Sequence, residues 1–123
     1  MKIRVYYEDT DLGGVVYYAN YFKFCERARS EIFFENGTIP TKDGCHFVVT
    51  HIDASFKKSA KLGDILEVKT KVLDIKRVSI MLNQKIFHNK ELIFDMDIKL
   101  AFICSQRISA IPKEFLELFQ KYF

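Results

Sequence analysis

The spacing of apolar residues predicts an α+β fold in which one long helix covers the inner face of an antiparallel sheet. Three features carry that reading. Tyr18, Tyr21, Phe22, Cys25, Ala28, Ile32 and Phe33 recur at helical spacing. Four later segments, between residues 46 and 104, alternate apolar and polar residues with period two. A final amphipathic stretch opens at Pro112 and sets Phe115, Leu118, Phe119 and Tyr122 along one face.

Each element follows in order. Residues 2–7, KIRVYY, predict a short first strand. Glu8 to Gly14 form an acidic turn in which Gly13 and Gly14 permit positive φ or close backbone approach. The helical pattern starts near Val16, or else Asn20 caps a long helix that follows a separate short turn, and Asn36-Gly37 ends the helix. A polar linker runs through Gly44, and strands are expected over 46–57, 65–75, 78–88 and 91–104. In the second of these, Leu66, Val68, Thr70 and Val72 share a face against Glu67, Lys69 and Lys71; in the last, Phe94, Met96, Ile98, Leu100 and Phe102 oppose Asp95, Asp97 and Lys99. Breaks at Lys61–Asp64, Asp74–Arg77 and His88–Lys90 predict hairpins between antiparallel neighbours.

A chain of 123 residues allows one domain, 1–123, and no segment rich in Pro, Gly or Ser divides it. The net charge of +3 is too small to predict a nucleic-acid partner. The N-terminus lacks the apolar region of a signal peptide and no apolar run is long enough to cross a bilayer, so a cytoplasmic location is expected. Cys25, Cys45 and Cys104 form no CxxC pair and are expected to be reduced and buried. His46, His51 and His88 have no carboxylate at ligand spacing, and no Walker loop, GxGxxG or GxSxG is present, so neither metal nor cofactor is expected. Twelve Phe and six Tyr give this small domain aromatic surface to bury against a second subunit, so oligomerisation is expected.

The segment Val5-Tyr6-Tyr7-Glu8-Asp9-Thr10-Asp11-Leu12-Gly13-Gly14-Val15-Val16-Tyr17-Tyr18-Ala19-Asn20-Tyr21, continuing into Cys25-Glu26-Arg27-Ala28-Arg29-Ser30-Glu31, resembles the 4-hydroxybenzoyl-CoA thioesterase family, especially its YbgC-type acyl-CoA thioesterase branch. The resemblance implies the hotdog fold, a curved antiparallel sheet wrapped around a long central helix. It also implies hydrolysis of acyl-CoA to free acid and CoA, with CoA as part of the substrate and no separate cofactor. The implied assembly is a homodimer that pairs into a homotetramer, with the acyl tunnel between two subunits.

Carried over residue by residue, the resemblance places Asp11 at the catalytic carboxylate, either as nucleophile or as general base for water. It places the oxyanion donor at the Tyr18 N–H. The loop glycines and the helix start near Val16 to Tyr18 supply backbone N–H groups with a favourable dipole, so Gly14, Val16 and Tyr17 join the substrate-binding set. The YbgC branch often carries His at position 18, whereas the hydroxybenzoyl branch carries Tyr, leaving open a chemical or a lining role for the Tyr18 side chain. Asp9, two residues from Asp11, is assigned to the loop backbone. The family's strand-end motif usually has Pro where this chain has Ser59. Lys58, Lys61, Lys76 and Arg77, with Lys57, are a basic set for the phosphates of CoA or for an acidic carrier protein.

Read without the resemblance, an Asp beside Gly caps a turn, a tyrosine on an apolar stripe belongs to the core, and turn lysines are solvated. The rival function is an acyl-carrier-protein-binding module of phospholipid or cell-envelope metabolism with weak or no hydrolysis. A hotdog dehydratase is disfavoured because no His and Asp pair stands at the helix start.

Overall fold

The computed structural model describes all residues, 1–123. A 16-residue helix, α1 (Asn20–Glu35), buries Tyr21, Phe24, Cys25, Ala28, Ile32 and Phe33 against one curled sheet. The expected capping pair ends it: Gly37 takes φ 73°, and the Thr38 N–H reaches back to the Phe33 carbonyl. Its start lies later than the apolar stripe suggested. Tyr18 precedes the helix and is 57% exposed, so it does not belong to the core.

The sheet contains β1 (Lys2–Arg4), β2 (Thr41–Lys42), β3 (Cys45–Phe56), β4 (Ile65–Ile75), β5 (Ser79–His88), β6 (Glu91–Cys104) and β7 (Arg107–Ile108). The spatial order is β1-β4-β5-β6-β3-β2, with β7 paired to β6. The period-two segments are the strands expected, and their apolar faces meet α1. Along one row across the sheet, Val68, Ile86 and Phe94 are buried beside Phe56; along the next come Thr70, Gln84, Met96 and Ala54. The hairpin at Asn89-Lys90 uses positive φ at both residues, 49° and 67°, as a twist-matched two-residue turn requires.

Three expectations are corrected. The first strand stops at Arg4 because Asp9 Oδ2 accepts the Tyr6 N–H, turning Tyr7–Asp9 into a single 3-10 turn. Lys61–Asp64 is not part of a hairpin, since β3 pairs with β6 whereas β4 pairs with β1 and β5. The segment after β3 instead crosses to the far side of the sheet, under the Asp11 loop. Cys45 and Cys104 are not reduced: the β3–β6 ladder brings their Cα atoms to 4.4 Å and they form a disulfide across 59 residues of sequence. Only Cys25 is a buried free thiol.

The second helix, α2 (Lys113–Tyr122), follows Pro112 and closes the end of the sheet opposite the Asp11 loop. Its buried Phe115 and Phe119 pack edge-on against Phe33, with ring centroids 5.1 and 5.7 Å away. No helix is long and apolar enough to cross a membrane.

Candidate active site

Asp11 sits in a loop that its own backbone closes. Its N–H donates to the Val15 carbonyl at 2.9 Å and its carbonyl accepts the Gly14 N–H at 3.0 Å. Gly14 holds φ 76°, a conformation that a side chain would strain. The Gly13 N–H donates to Asp11 Oδ1 at 2.8 Å, and a Cβ on Gly13 would lie 3.2 Å from that oxygen. One carboxylate oxygen is thus tied to the turn. Oδ2 accepts no hydrogen bond from the protein and is available to a reactant.

Asp9 does the scaffolding expected of it. The buried carboxylate accepts the Tyr6 N–H, and its carbonyl accepts both the Tyr17 N–H and Asn20 Nδ2, each at 2.9 Å. Asn20 is therefore the first residue of α1, tied to the loop by its side chain, and not a cap. The helix has no side-chain cap at all.

Of the three backbone donors considered between Val16 and Tyr18, two are spent. The Val16 N–H bonds the Ala60 carbonyl at 2.8 Å and the Tyr17 N–H bonds Asp9. No backbone or side-chain acceptor in the protein takes the Tyr18 N–H. It stands just before the N-terminus of α1, where unpaired amides and the helix dipole both favour developing negative charge.

A cavity of about 370 Å³ is lined by Asp11, Val15, Val16, Tyr17, Tyr18, Tyr21, Phe56, Lys57, Lys58 and Ser59. Asp11 and Tyr17 also border a wider cleft of about 820 Å³, with Tyr7, Thr10, Leu12, Gly14, Lys23 and Leu62. The smaller cavity is aromatic: Tyr18 lies 5.0 Å from Tyr17 and 5.9 Å from Phe56, while Tyr21 stacks on Phe94 at 5.3 Å. Asp11, Val16, Tyr17, Tyr18 and Lys58 thus share one site, and Gly14 borders its neighbour. Phe56 and Tyr21 were not singled out as site residues, and only the ladder register reveals Phe56.

The basic residues divide. Lys58 lies at the cavity and pairs with Glu91 at 2.9 Å. Lys61 holds the crossover through its backbone, donating its N–H to Asp64 Oδ2 at 2.9 Å. Lys76 and Arg77 sit at the opposite end of the sheet from Asp11, because β4 runs away from the loop between Ile65 and Ile75. Within one chain they are not brought to the cavity. Cys25 is excluded as a nucleophile: it is fully buried on α1, and burial pushes its thiol up to about 12.

Residues 5–119 match the family described as the thioesterase-like superfamily. The chain belongs to it. The chain is 43% identical over 129 residues to an acyl-CoA thioesterase YbgC of Helicobacter pylori, covering 96% of this chain and 97% of that protein. It is 37% identical to the Haemophilus influenzae acyl-CoA thioesterase YbgC, covering 91% and 87% respectively. Among solved structures it matches a probable thioesterase from Bartonella henselae, with a TM-score of 0.85, 30% identity and coverage of 91% and 97%. The curled sheet around α1 is the hotdog fold of this thioesterase family.

Proposed function

We propose that this protein hydrolyses the thioester of acyl-CoA to a free carboxylic acid and CoA, with Asp11 as its carboxylate catalyst and the Tyr18 N–H as oxyanion donor. The observation carrying this reading is that Asp11 and an N–H without an acceptor border the same aromatic cavity. A thioester carbonyl placed there meets a donor at its oxygen and a carboxylate oxygen at its carbon. Asp11 Oδ2 either takes the proton of an attacking water or attacks directly, giving an anhydride that water then opens. In both routes the C–S bond breaks and the electron pair leaves on the CoA sulfur. Thiolate is a good leaving group, so no strong acid is required at the sulfur.

The acyl group lies against Tyr18, Tyr21 and Phe56, and Lys57 and Lys58 at the mouth suit the phosphates of CoA. The working unit is a homodimer. From Phe47 to Phe56 the outer edge of β3 has no strand beside it, and Val49, Ile52 and Phe56 are exposed there. An open edge with exposed apolar residues is suited to pairing with a second copy. Antiparallel pairing of two β3 edges would carry the partner subunit's Lys76 and Arg77 toward this site's end of the joined sheet.

Thiol release from CoA esters running from acetyl to palmitoyl, with benzoyl alongside, tests the reading. Turnover of at least one series is expected. Inactivity on all of them, with retained binding of an acyl carrier protein, would replace hydrolysis by a carrier-binding role.

A further inference from the structure

One stripe of α1 has apolar ends and a charged middle. Phe22, Glu26, Arg29 and Phe33 follow one another at intervals of four, three and four residues and so share a face. Its ends are anchored on β3: Phe22 packs on Phe56 at 6.0 Å and Phe33 on Phe47 at 6.3 Å. The stripe therefore faces β3 at both ends, and between them Arg29 reaches to Gln84 of β5.

Arg29 makes no close ion pair within its own chain, although Glu26 one turn earlier favours its charge. Its Nη1 donates to Gln84 Oε1 at 2.9 Å. Gln84 fixes the direction. Its fully buried amide sends Nε2 to the Cys25 carbonyl and to Thr70 on β4, which leaves Oε1 to accept the guanidinium. Burial holds Arg29 below the usual arginine value, with Cys25 and Glu26 opposing. Glu26 is exposed, and its carboxylate accepts only the Ser30 hydroxyl, at 2.7 Å.

We infer that Glu26 and Arg29 form a reciprocal ion-pair lock between two copies of this chain: Glu26 meets Arg29 of the partner subunit, and Arg29 meets Glu26 of the partner subunit. The inference rests on the dimer of the proposed function and adds the groups that fix it. A two-fold interface brings residue i to j and j to i. The stripe from Phe22 to Phe33 has its centre between Arg27 and Ala28, above the centre of the open edge from Phe47 to Phe56. An axis through the middle of that edge runs two α1 helices antiparallel and sets position 26 opposite position 29. Opposite charges at those positions make the face complementary to itself, and they bring Arg29 a second anion beside the Glu26 of its own helix.

Mixing two variants tests the lock. Glu26→Arg leaves positive charge at both positions, and Arg29→Glu leaves negative charge at both, so each repels itself but complements the other. Sedimentation of the wild type is expected to show a dimer. Each variant alone should raise the dimer dissociation constant at least about tenfold at low salt, and an equimolar mixture should restore dimers. A mixture that associates no better than its components overturns the lock while leaving the dimer standing; a monomeric wild type overturns both. If Arg29→Glu does not regain the wild-type circular dichroism, Glu26→Arg alone decides. Its dissociation constant should exceed the wild type's at low salt and approach it at about 1 M salt, where charge interactions are screened, and an unchanged constant contradicts the lock.

Discussion

The Tyr21 hydroxyl accepts the Ala60 N–H at 3.0 Å, joining the first turn of the central helix to the segment that crosses from β3 to β4. Ala60 is fully buried, and its carbonyl accepts the Val16 N–H, so this single residue connects the helix, the crossover and the loop behind Asp11. Burial raises the Tyr21 phenol above the usual tyrosine value, and the group stays protonated. Tyr21→Phe leaves a buried N–H without an acceptor. The expected cost is about 1–3 kcal/mol in urea unfolding, with a lower kcat from the loosened loop. Wild-type stability in this variant would show that the bond carries no weight.

Gln84 satisfies three polar groups inside an otherwise apolar core. Gln84→Leu removes the partner of Arg29 Nη1 and of the Thr70 hydroxyl at once. Loss of about 2–4 kcal/mol is expected from urea midpoints. A change under about 0.5 kcal/mol would indicate that water replaces the amide at no cost.

The Cys25 thiol gives the fold a pH dependence with a definite sign. Its pKa rises from 9.0 in the unfolded chain to about 12, because burial disfavours the thiolate. Above pH 9.0 the unfolded state loses this proton while the folded state keeps it, so stability is full below that pH and declines above it. The slope is about 1.4 kcal/mol per pH unit. Denaturation of wild type and Cys25→Ala between pH 8 and about 10.5 should show this slope in the wild type alone. Equal slopes would contradict a buried, protonated thiol.

The disulfide between Cys45 and Cys104 closes a loop of 59 residues. Reduction should lower the unfolding midpoint by an amount worth roughly 2–4 kcal/mol in the wild type and leave Cys45→Ser unchanged. Thiol counting on the unfolded, unreduced protein should find one free cysteine. Three would contradict the bridge.

What could be read from the chain follows physical range. The strands over 65–75 and 91–104 stand where the alternation places them, because a sheet with one buried face writes its period directly into Leu66, Val68, Phe94 and Met96. The β3–β6 pairing and the Cys45–Cys104 contact were not legible, since they depend on which edge of β6 the earlier strand joins. Tyr18 falls on the apolar stripe yet precedes the helix, because the spacing continues through a separate turn closed by Asn20 N–H to the Tyr17 carbonyl and Tyr21 N–H to the Tyr18 carbonyl. At the site, the Asp9 scaffold was legible from its two-residue offset from Asp11. The Tyr18 N–H was named through the resemblance; that it keeps no acceptor while Val16 and Tyr17 spend theirs on Ala60 and Asp9 is seen only in the fold.

The fate of solvent oxygen separates the two routes open to Asp11. A single turnover in oxygen-labelled water, with enzyme in excess, should label the Asp11 side chain if an anhydride forms. Label in the product acid alone assigns water attack with Asp11 as base.

The most direct measurement is hydrolysis of the best acyl-CoA by Asp11→Asn beside the wild type, with melting curves to show that both are folded. The substitution keeps Asp11 Oδ1 as an acceptor for the Gly13 N–H and removes only the charge. A fall in kcat of roughly a thousandfold or more, at unchanged melting temperature, is the predicted result. A folded Asp11→Asn protein that turns over at a rate near the wild type's would contradict the account.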